Sequence, residues 1–324
     1  MPATPGNALT LAVGKQSAKG TPQLTPTYKL RYTGGFGPDP AQTRITLAET
    51  DATRQQGDPI IVGHSVTGSS EHYVRPDEFG LLAYLSLGTI ATVGAAADKT
   101  HTISATTSGA VPYATLFKAQ NVTAYVDRYV DCQLNSVTVS GGAEQPLSMS
   151  MEWLGLAYTT GSTDPVLTAI TQSPMVYPEV TVTKAGVTTG VVQSFSLTWT
   201  NNRSLITGDT GTSAAEVAPG MFAVTGSLAI LFETDAERRL FYTGSTGGTA
   251  PATVVAAESL NILAQRTTTL SIAFDLNNVI PTGVTVPANT DGSPIIMGYE
   301  FQSQRQTALA DVLEIAVKNQ VVSY

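Results

Sequence analysis

Cysteine is almost missing from this chain. The single thiol, Cys132, has no partner for a disulfide within the chain and reads as a buried, inert side chain. With only three histidines, His64, His72 and His101, and no second cysteine, the usual zinc ligand sets are excluded. Charge is scarce too. Asp, Glu, Lys and Arg make up 13% of the 324 residues, about half of the roughly 25% usual in soluble domains. The formal net charge is −8. That excludes a basic groove for holding nucleic acid, because such grooves need clustered Lys and Arg to neutralise phosphates. An acidic surface past which nucleic acid moves without sticking stays open. No apolar run reaches the ~18 residues of a membrane helix. Residues 1–27 lack the basic start and apolar stretch of a secretory signal. The chain is therefore expected in the cytosol of the cell that makes it, unless it leaves inside a particle.

Signposts of chemistry are also lacking. No nucleophile–base pair is signposted: the three histidines all lie in the first half and none sits in a Gly-rich elbow. Val13-Gly14-Lys15 lacks the spaced glycines of a phosphate loop. Asp127, Arg128 and Asp131 read as a surface salt bridge rather than an acid–base group. No catalytic, cofactor-binding or metal-binding residue is assigned, and the chain is not read as an enzyme.

What fills the composition is Gly, Ser, Thr, Ala and Val. These suit β-strands, exposed turns and a surface that is uncharged without being apolar. Low surface charge weakens repulsion between copies, so it suits a subunit that assembles. An extracellular adhesive or carbohydrate-binding β-sandwich is the alternative. It would call for a signal peptide and exposed aromatics on loops, whereas aromatics are 7% of the chain and fall mainly in strand patterns.

One stretch occurs twice. Val66-Thr67-Gly68-Ser69 returns as Val224-Thr225-Gly226-Ser227, 158 positions later. At the same spacing Asp77, Leu82 and Tyr84 match Asp235, Leu240 and Tyr242. The unit reads as a strand feeding a short helix. Arg75-Pro76-Asp77-Glu78 opens the first helix, with Pro at a position that needs no donor and acids at the positive end. Gly88 ends it. Thr234-Asp235-Ala236-Glu237 has the pattern of a capping box for the second, and Gly244 ends that one. Strands alternate around these units. Ser194 to Trp199 places Phe195, Leu197 and Trp199 inward, and Pro146 to Tyr158 does so with Leu147, Met149, Met151 and Trp153. Ile60 to Val74 has Val66, Ser70, His72 and Val74 on one face and Thr67, Ser69, Glu71 and Tyr73 on the other.

The order strand, polar loop, VTGS strand, helix and further strands repeats in both halves. The expected organisation is an N-terminal arm over residues 1–27, a first β-sandwich domain over 28–160, a linker over 161–170 and a second β-sandwich domain over 171–324. Glu49 to Pro59 and Thr200 to Gly220 are long for loops in a compact sandwich, where hairpins need ~2–5 residues. They invite contacts outside the domain.

The chain resembles the tail tube (major tail) proteins of long-tailed bacteriophages, in a duplicated-domain form. In the first half the resemblance rests on Gly14-Lys15 through Gly20-Thr21, Pro76-Asp77 with Leu81-Leu82 and Leu87-Gly88, Thr100-His101-Thr102 and Leu134 to Ser140. In the second it rests on Ser196-Leu197-Thr198, Asn201-Asn202, Gly208, Ala218 to Gly220, and Val224-Thr225-Gly226-Ser227 to Phe232-Glu233. The family arm usually carries Glu where this chain has Gln16.

The resemblance implies a mainly β fold: two tandem antiparallel β-sandwich or barrel domains, each with one short flanking helix. It implies copies that form trimeric or hexameric rings, stacked into a hollow tube that delivers double-stranded DNA. Tape-measure, tail terminator and baseplate proteins are the implied partners, with no membrane. The implied place is the virion tail, after synthesis in the host bacterial cytoplasm. A pore for DNA should be acidic or neutral, and Glu49, Asp51, Asp58, Glu71, Asp209 and Glu216 are the candidate lining acids. Lys15, Gln16, Arg54, Gln55, Gln56, Ile206 and Thr207, in the arm and the two long loops, are the candidate inter-ring contacts.

Overall fold

A computed structural model describes residues 9–47, 58–95, 98–119, 126–163, 165, 167, 170–189, 191–208, 211, 213–253, 256–288, 291–305 and 312–324. In the first half the strands are β1 (Thr10–Lys15), β2 (Tyr28–Leu30), β3 (Tyr32–Ile45), β4 (Ile60–Tyr73), β5 (Gly88–Val93), β6 (Lys99–Ala105), β7 (Ala114–Ala119), β8 (Val126–Gly142), β9 (Ser148–Gly155) and β10 (Ala157–Thr159). Helix α1 (Pro76–Leu87) follows β4. The second half has β11 (Val180–Lys184), β12 (Val187–Thr188), β13 (Val192–Thr200), β14 (Ser204–Thr207), β15 (Ala214–Ala218), β16 (Ala223–Leu231), β17 (Glu258–Thr267), β18 (Leu270–Thr285), β19 (Ile296–Ser303) and β20 (Glu314–Asn319). Helix α2 (Ala236–Thr243) follows β16. The fold is mainly β and antiparallel, with a helix in each half. Neither helix departs from its expected place, and Gly88 and Gly244 close them in the left-handed conformation that glycine tolerates.

The two VTGS stretches lie in β4 and β16, and the strands around them correspond. β4 pairs with β3 and β9, and β9 with β8. In the same way β16 pairs with β13 and β19, and β19 with β18. Opposite Val66 stands Gly155, and opposite Val224 stands Ser303. β8 is bulged between Leu134 and Ser136, and β18 between Pro281 and Gly283. Each bulge is followed by Val-Thr-Val, at 137–139 and 284–286. The repeat therefore extends well beyond the tetrapeptide, into the register and its irregularities.

β8 also pairs with β13 across the two halves. This gives one sheet in the order β3-β4-β9-β8-β13-β16-β19-β18. The second layer on the first half is β2-β1-β7-β8-β10, using the N-terminal part of β8. On the other half it is β11-β17-β18-β20-β6-β5, where β6 of the first half joins β20 of the second. Segment 161–170 divides the strands in sequence. In space the β8–β13 and β6–β20 pairings join them, and one apolar cluster holds Phe79, Trp153, Trp199, Phe274 and Phe301 together.

Three expectations are corrected here. Residues 10–15, read as part of an arm, form β1, with Leu11 and Val13 buried between β2 and β7. The capping box before α2 does not form: the cap position falls on Asp235, whose side chain caps no backbone group and pairs with Arg239 at 3.2 Å, and Glu237 pairs with Lys184. Asp127 and Asp131 are buried rather than at the surface, and Asp131 accepts the Gly20 N–H at 2.7 Å. Cys132 is buried, and burial raises its pKa well above the usual thiol range.

His72, on the core face of β4, gives the fold a pH dependence. Its Nδ1 lies 3.1 Å from the Arg31 carbonyl oxygen, and burial holds its pKa down at about 4. The unfolded chain takes up this proton first, near pH 6.5. The stabilising contribution is thus full above the unfolded value and lost as pH falls through about 4. The gap is worth roughly 3 kcal/mol. Glu78, raised to about 7 by burial, acts in the opposite sense: its contribution is full below the ordinary carboxylate range and lost as pH rises past 7. Urea unfolding of His72→Gln against the native chain separates the two. Their stability difference should shift by roughly 3 kcal/mol in favour of the variant between pH 7 and pH 4.

Candidate functional site

Alternation along each strand divides the long sheet into two faces. One carries Val66, His72, Val137, Val139, Met149, Met151, Trp153, Leu197, Trp199, Val224, Leu228, Tyr299 and Phe301, all buried. The other is open. Its side chains are Ser65, Thr67, Ser69, Glu71 and Tyr73 of β4, Ser148, Ser150, Glu152 and Leu154 of β9, and Ser136, Thr138 and Ser140 of β8. The second half continues it with Ser194, Ser196, Thr198 and Thr200 of β13, Thr225 and Ser227 of β16, and Glu300 and Gln302 of β19.

Hydroxyls on this face bond to one another. Thr138 and Thr198 meet at 2.8 Å across the junction of the halves, and Ser140 and Ser148 at 2.9 Å. These four hydroxyls thereby partner one another rather than water. Its charged members among these positions are Glu71, Glu152 and Glu300, all exposed, with no Lys or Arg. Glu152 and Glu300 occupy corresponding places in β9 and β19, opposite Ser69 and Ser227. A sheet face of this kind is wet, weakly acidic and without a cation to hold a phosphate.

A ribbon projects from one end of the sheet. The β3–β4 ladder continues to Ile45 opposite Ile60, beyond the core. Ile45, Leu47, Ile60, Ile61 and Val62 are 40–49% exposed on it. The corresponding segment of the second half, expected as a loop, forms the β14–β15 ladder. It folds back onto the first half: Ala214 and Val217 pack with Leu156, the Lys19 and Glu216 side chains pair, and Tyr113 donates to Glu216 at 2.8 Å. These bonds hold the Glu216 carboxyl below its usual range.

Of the acids expected from sequence, Glu71 lies on the open face. Asp58 is exposed just beyond the far end of the β3–β4 ladder, and Glu216 is engaged by Lys19 and Tyr113. Glu49, Asp51 and Asp209 lie outside the described residues, as do Arg54, Gln55 and Gln56. Ile206 and Thr207 are exposed on β14. Lys15 Nζ donates to the Tyr324 carbonyl oxygen at 3.1 Å and lies over the Tyr84 ring, while Gln16 is buried. Glu152 and Glu300 escaped the sequence reading. Their signal was an acid between two inward residues, Met151-Glu152-Trp153 and Tyr299-Glu300-Phe301, which turns the carboxylate to the opposite face.

Among the described residues no three of His, Cys, Asp and Glu gather as a metal site would require. No curated protein matches the chain. A family profile described as "Phage tail tube protein" matches residues 6–304.

Proposed function

The chain belongs to the phage tail tube protein family, and on that premise we propose that its copies form stacked rings whose open sheet faces line the channel for double-stranded DNA. The observation that carries this is the face itself. From β4 to β19 it runs across both halves, is built mainly of Ser and Thr, and has three exposed carboxylates and no Lys or Arg; beside it on β3, opposite Thr67, Asp39 is exposed and already paired with Lys118. Phosphates passing such a wall find hydroxyls and water but no counter-charge to hold them. Both tryptophans, Trp153 and Trp199, are buried, so neither offers the aromatic platform of a carbohydrate-binding sandwich.

Each copy holds two like units, so trimeric rings present as many units as hexameric rings of a single-unit chain; hexamers with one unit outside the pore are the competing arrangement. Tape-measure, tail terminator and baseplate proteins are the proposed partners in the virion, after synthesis in the bacterial cytoplasm. Electron microscopy of the purified chain, with mass measurement of single rings, tests the proposal. Hollow tubes or rings support it, and dispersed monomers at high concentration refute it.

We assign the contact between rings to the exposed ribbon. Bare aliphatics on a projecting strand pair are an interaction surface. Ile45→Ser, Ile60→Ser and Val62→Ser together should cost little stability, since exposed substitutions usually lie within ~0.5 kcal/mol each. The variant should stay soluble and fold with an unchanged circular dichroism spectrum, yet form no tubes. Tubes of ordinary length would remove the ribbon from the contact.

A further inference from the structure

Two edges of the long sheet are open. Among the described residues β3 pairs with β4 alone, and residues 281–285 of β18 pair with β19 alone. These strands correspond to β13 and β8, which are joined to each other inside the chain. We infer that the β18 edge of one copy pairs antiparallel with the β3 edge of a second copy, Thr285 opposite Asp39, repeating the internal β8–β13 junction between molecules. The inference rests on the tube reading and specifies its lateral contact.

The register follows from the repeat. At the internal junction Val139, Thr138, Val137 and Ser136 stand opposite Leu197, Thr198, Trp199 and Thr200. Matching β8 to β18 through the shared bulge gives Val286, Thr285, Val284 and Gly283. Matching β13 to β3 through the VTGS partners gives Pro38, Asp39, Pro40 and Ala41.

Backbone directions agree with this. Antiparallel strands alternate their hydrogen bonds between the two neighbours. Asn201 donates to the Asn135 carbonyl at 2.7 Å and Ala143 to Gln193 at 2.9 Å, so odd-numbered residues of β13 and β8 face each other. Counting outward through β9 and β4, Asp39 and Ala41 bond to β4, and Pro38 and Pro40 face the open edge. Phe232 donates to the Ile295 carbonyl at 2.9 Å. Counting from there through β19, Gly283 and Thr285 bond inward and Val284 and Val286 point their N–H groups outward.

The prolines then set the polarity of the contact. Pro38 and Pro40 offer carbonyls but no donors. Val286 and Val284 supply donors to those two carbonyls. Two β3 edges facing each other would meet with donors missing on both sides, so the contact is head-to-tail, which yields rings or filaments.

The helices carry an independent sign. Ten residues of α1 are buried, and its end is covered by β13: Trp199 Nε1 donates to Ser86 Oγ at 3.0 Å and Asn201 Nδ2 to the Ser86 carbonyl at 2.9 Å. α2 has no buried residue, and Tyr242, the counterpart of Tyr84, is 53% exposed. A second copy's β3 entering beside β18 would cover α2 as β13 covers α1.

Paired cysteines test the register, with Cys132 silent because it is fully buried. Asp39→Cys with Thr285→Cys, and Ala41→Cys with Gly283→Cys, place thiols at directly opposed positions; Ala41→Cys with Thr285→Cys is off register. The second pair leaves the Asp39–Lys118 ion pair intact. After mild oxidation of assembled protein, both in-register pairs should give covalent multimers at least about fivefold more efficiently than the off-register pair, given the narrow geometry of a disulfide. Tubes in which the in-register pairs remain monomeric on a non-reducing gel, or in which the off-register pair links equally well, overturn the junction and leave the tube standing. Failure of the native chain to assemble at all overturns the reading beneath it.

Discussion

Trp199→Ala should cost roughly 3–5 kcal/mol and loosen both halves of the chain at once. Trp199 is fully buried on β13, the strand that carries the junction to β8. Its ring lies 6.4 Å from Phe274 of β18, which lies 5.7 Å from Phe79 of α1, and its indole N–H is bonded to Ser86 of the same helix. One side chain thus ties the first helix to the second set of strands. Removing it leaves a cavity where the layers meet, and total stabilities of ~5–15 kcal/mol make such a loss severe. The variant retains Trp153 as the sole tryptophan, a fluorescence reporter in the first half. In urea its transition should move to lower concentration and coincide with that of circular dichroism. A Trp153 transition left where the native chain has it, with half the dichroism lost earlier, would show instead that the halves unfold as separate domains. Trp199→Phe keeps much of the apolar volume and should lose less.

The local features of this architecture were written in the sequence. Pro76 and the acids after it, Gly88, Gly244 and the alternation of Phe195, Leu197 and Trp199 each act over a few residues, and each appears where the pattern puts it. The long-range features were not. β1 is buried on both faces between β2 and β7, so its residues show no alternation and resemble a loop. β14 and β15 are short, and their ladder depends on packing against the first half. The capping pattern before α2 lost its acid, Glu237, to Lys184 of β11, a long-range partner that no local pattern shows. At the site, Glu71 was legible because the strand around it alternates. Glu152 and Glu300 obey the same rule, but each is a single acid within a strand whose apolar alternation dominates its pattern. Their correspondence emerged only once the registers of β9 and β19 could be laid side by side.

Reversing the face should convert a channel that releases DNA into one that grips it. Glu71→Lys, Glu152→Lys and Glu300→Lys change exposed side chains only, and each should alter folding by no more than ~0.5 kcal/mol. Tubes should still form. Every copy would then present three ammonium groups where three carboxylates stood, repeated around each ring. Fixed charge acts over a Debye length of ~8 Å at physiological salt, so groups on the wall matter and groups elsewhere do not. Because binding that neutralises several phosphates changes by ~10³–10⁵ over a modest range of salt, reversed tubes should retain linear DNA at low salt, release it as salt rises, and lower infectivity. Native tubes should retain none at either salt. Glu216→Lys, which breaks the pairing with Lys19 on the β14–β15 hairpin rather than on a strand of the long sheet, supplies the control for charge alone. If it held DNA as strongly as the triple variant, the lining would not be the sheet face. If the triple variant delivered its genome normally, the carboxylates would have no part in passage, and the Ser and Thr hydroxyls alone would have to account for a wall to which DNA does not adhere.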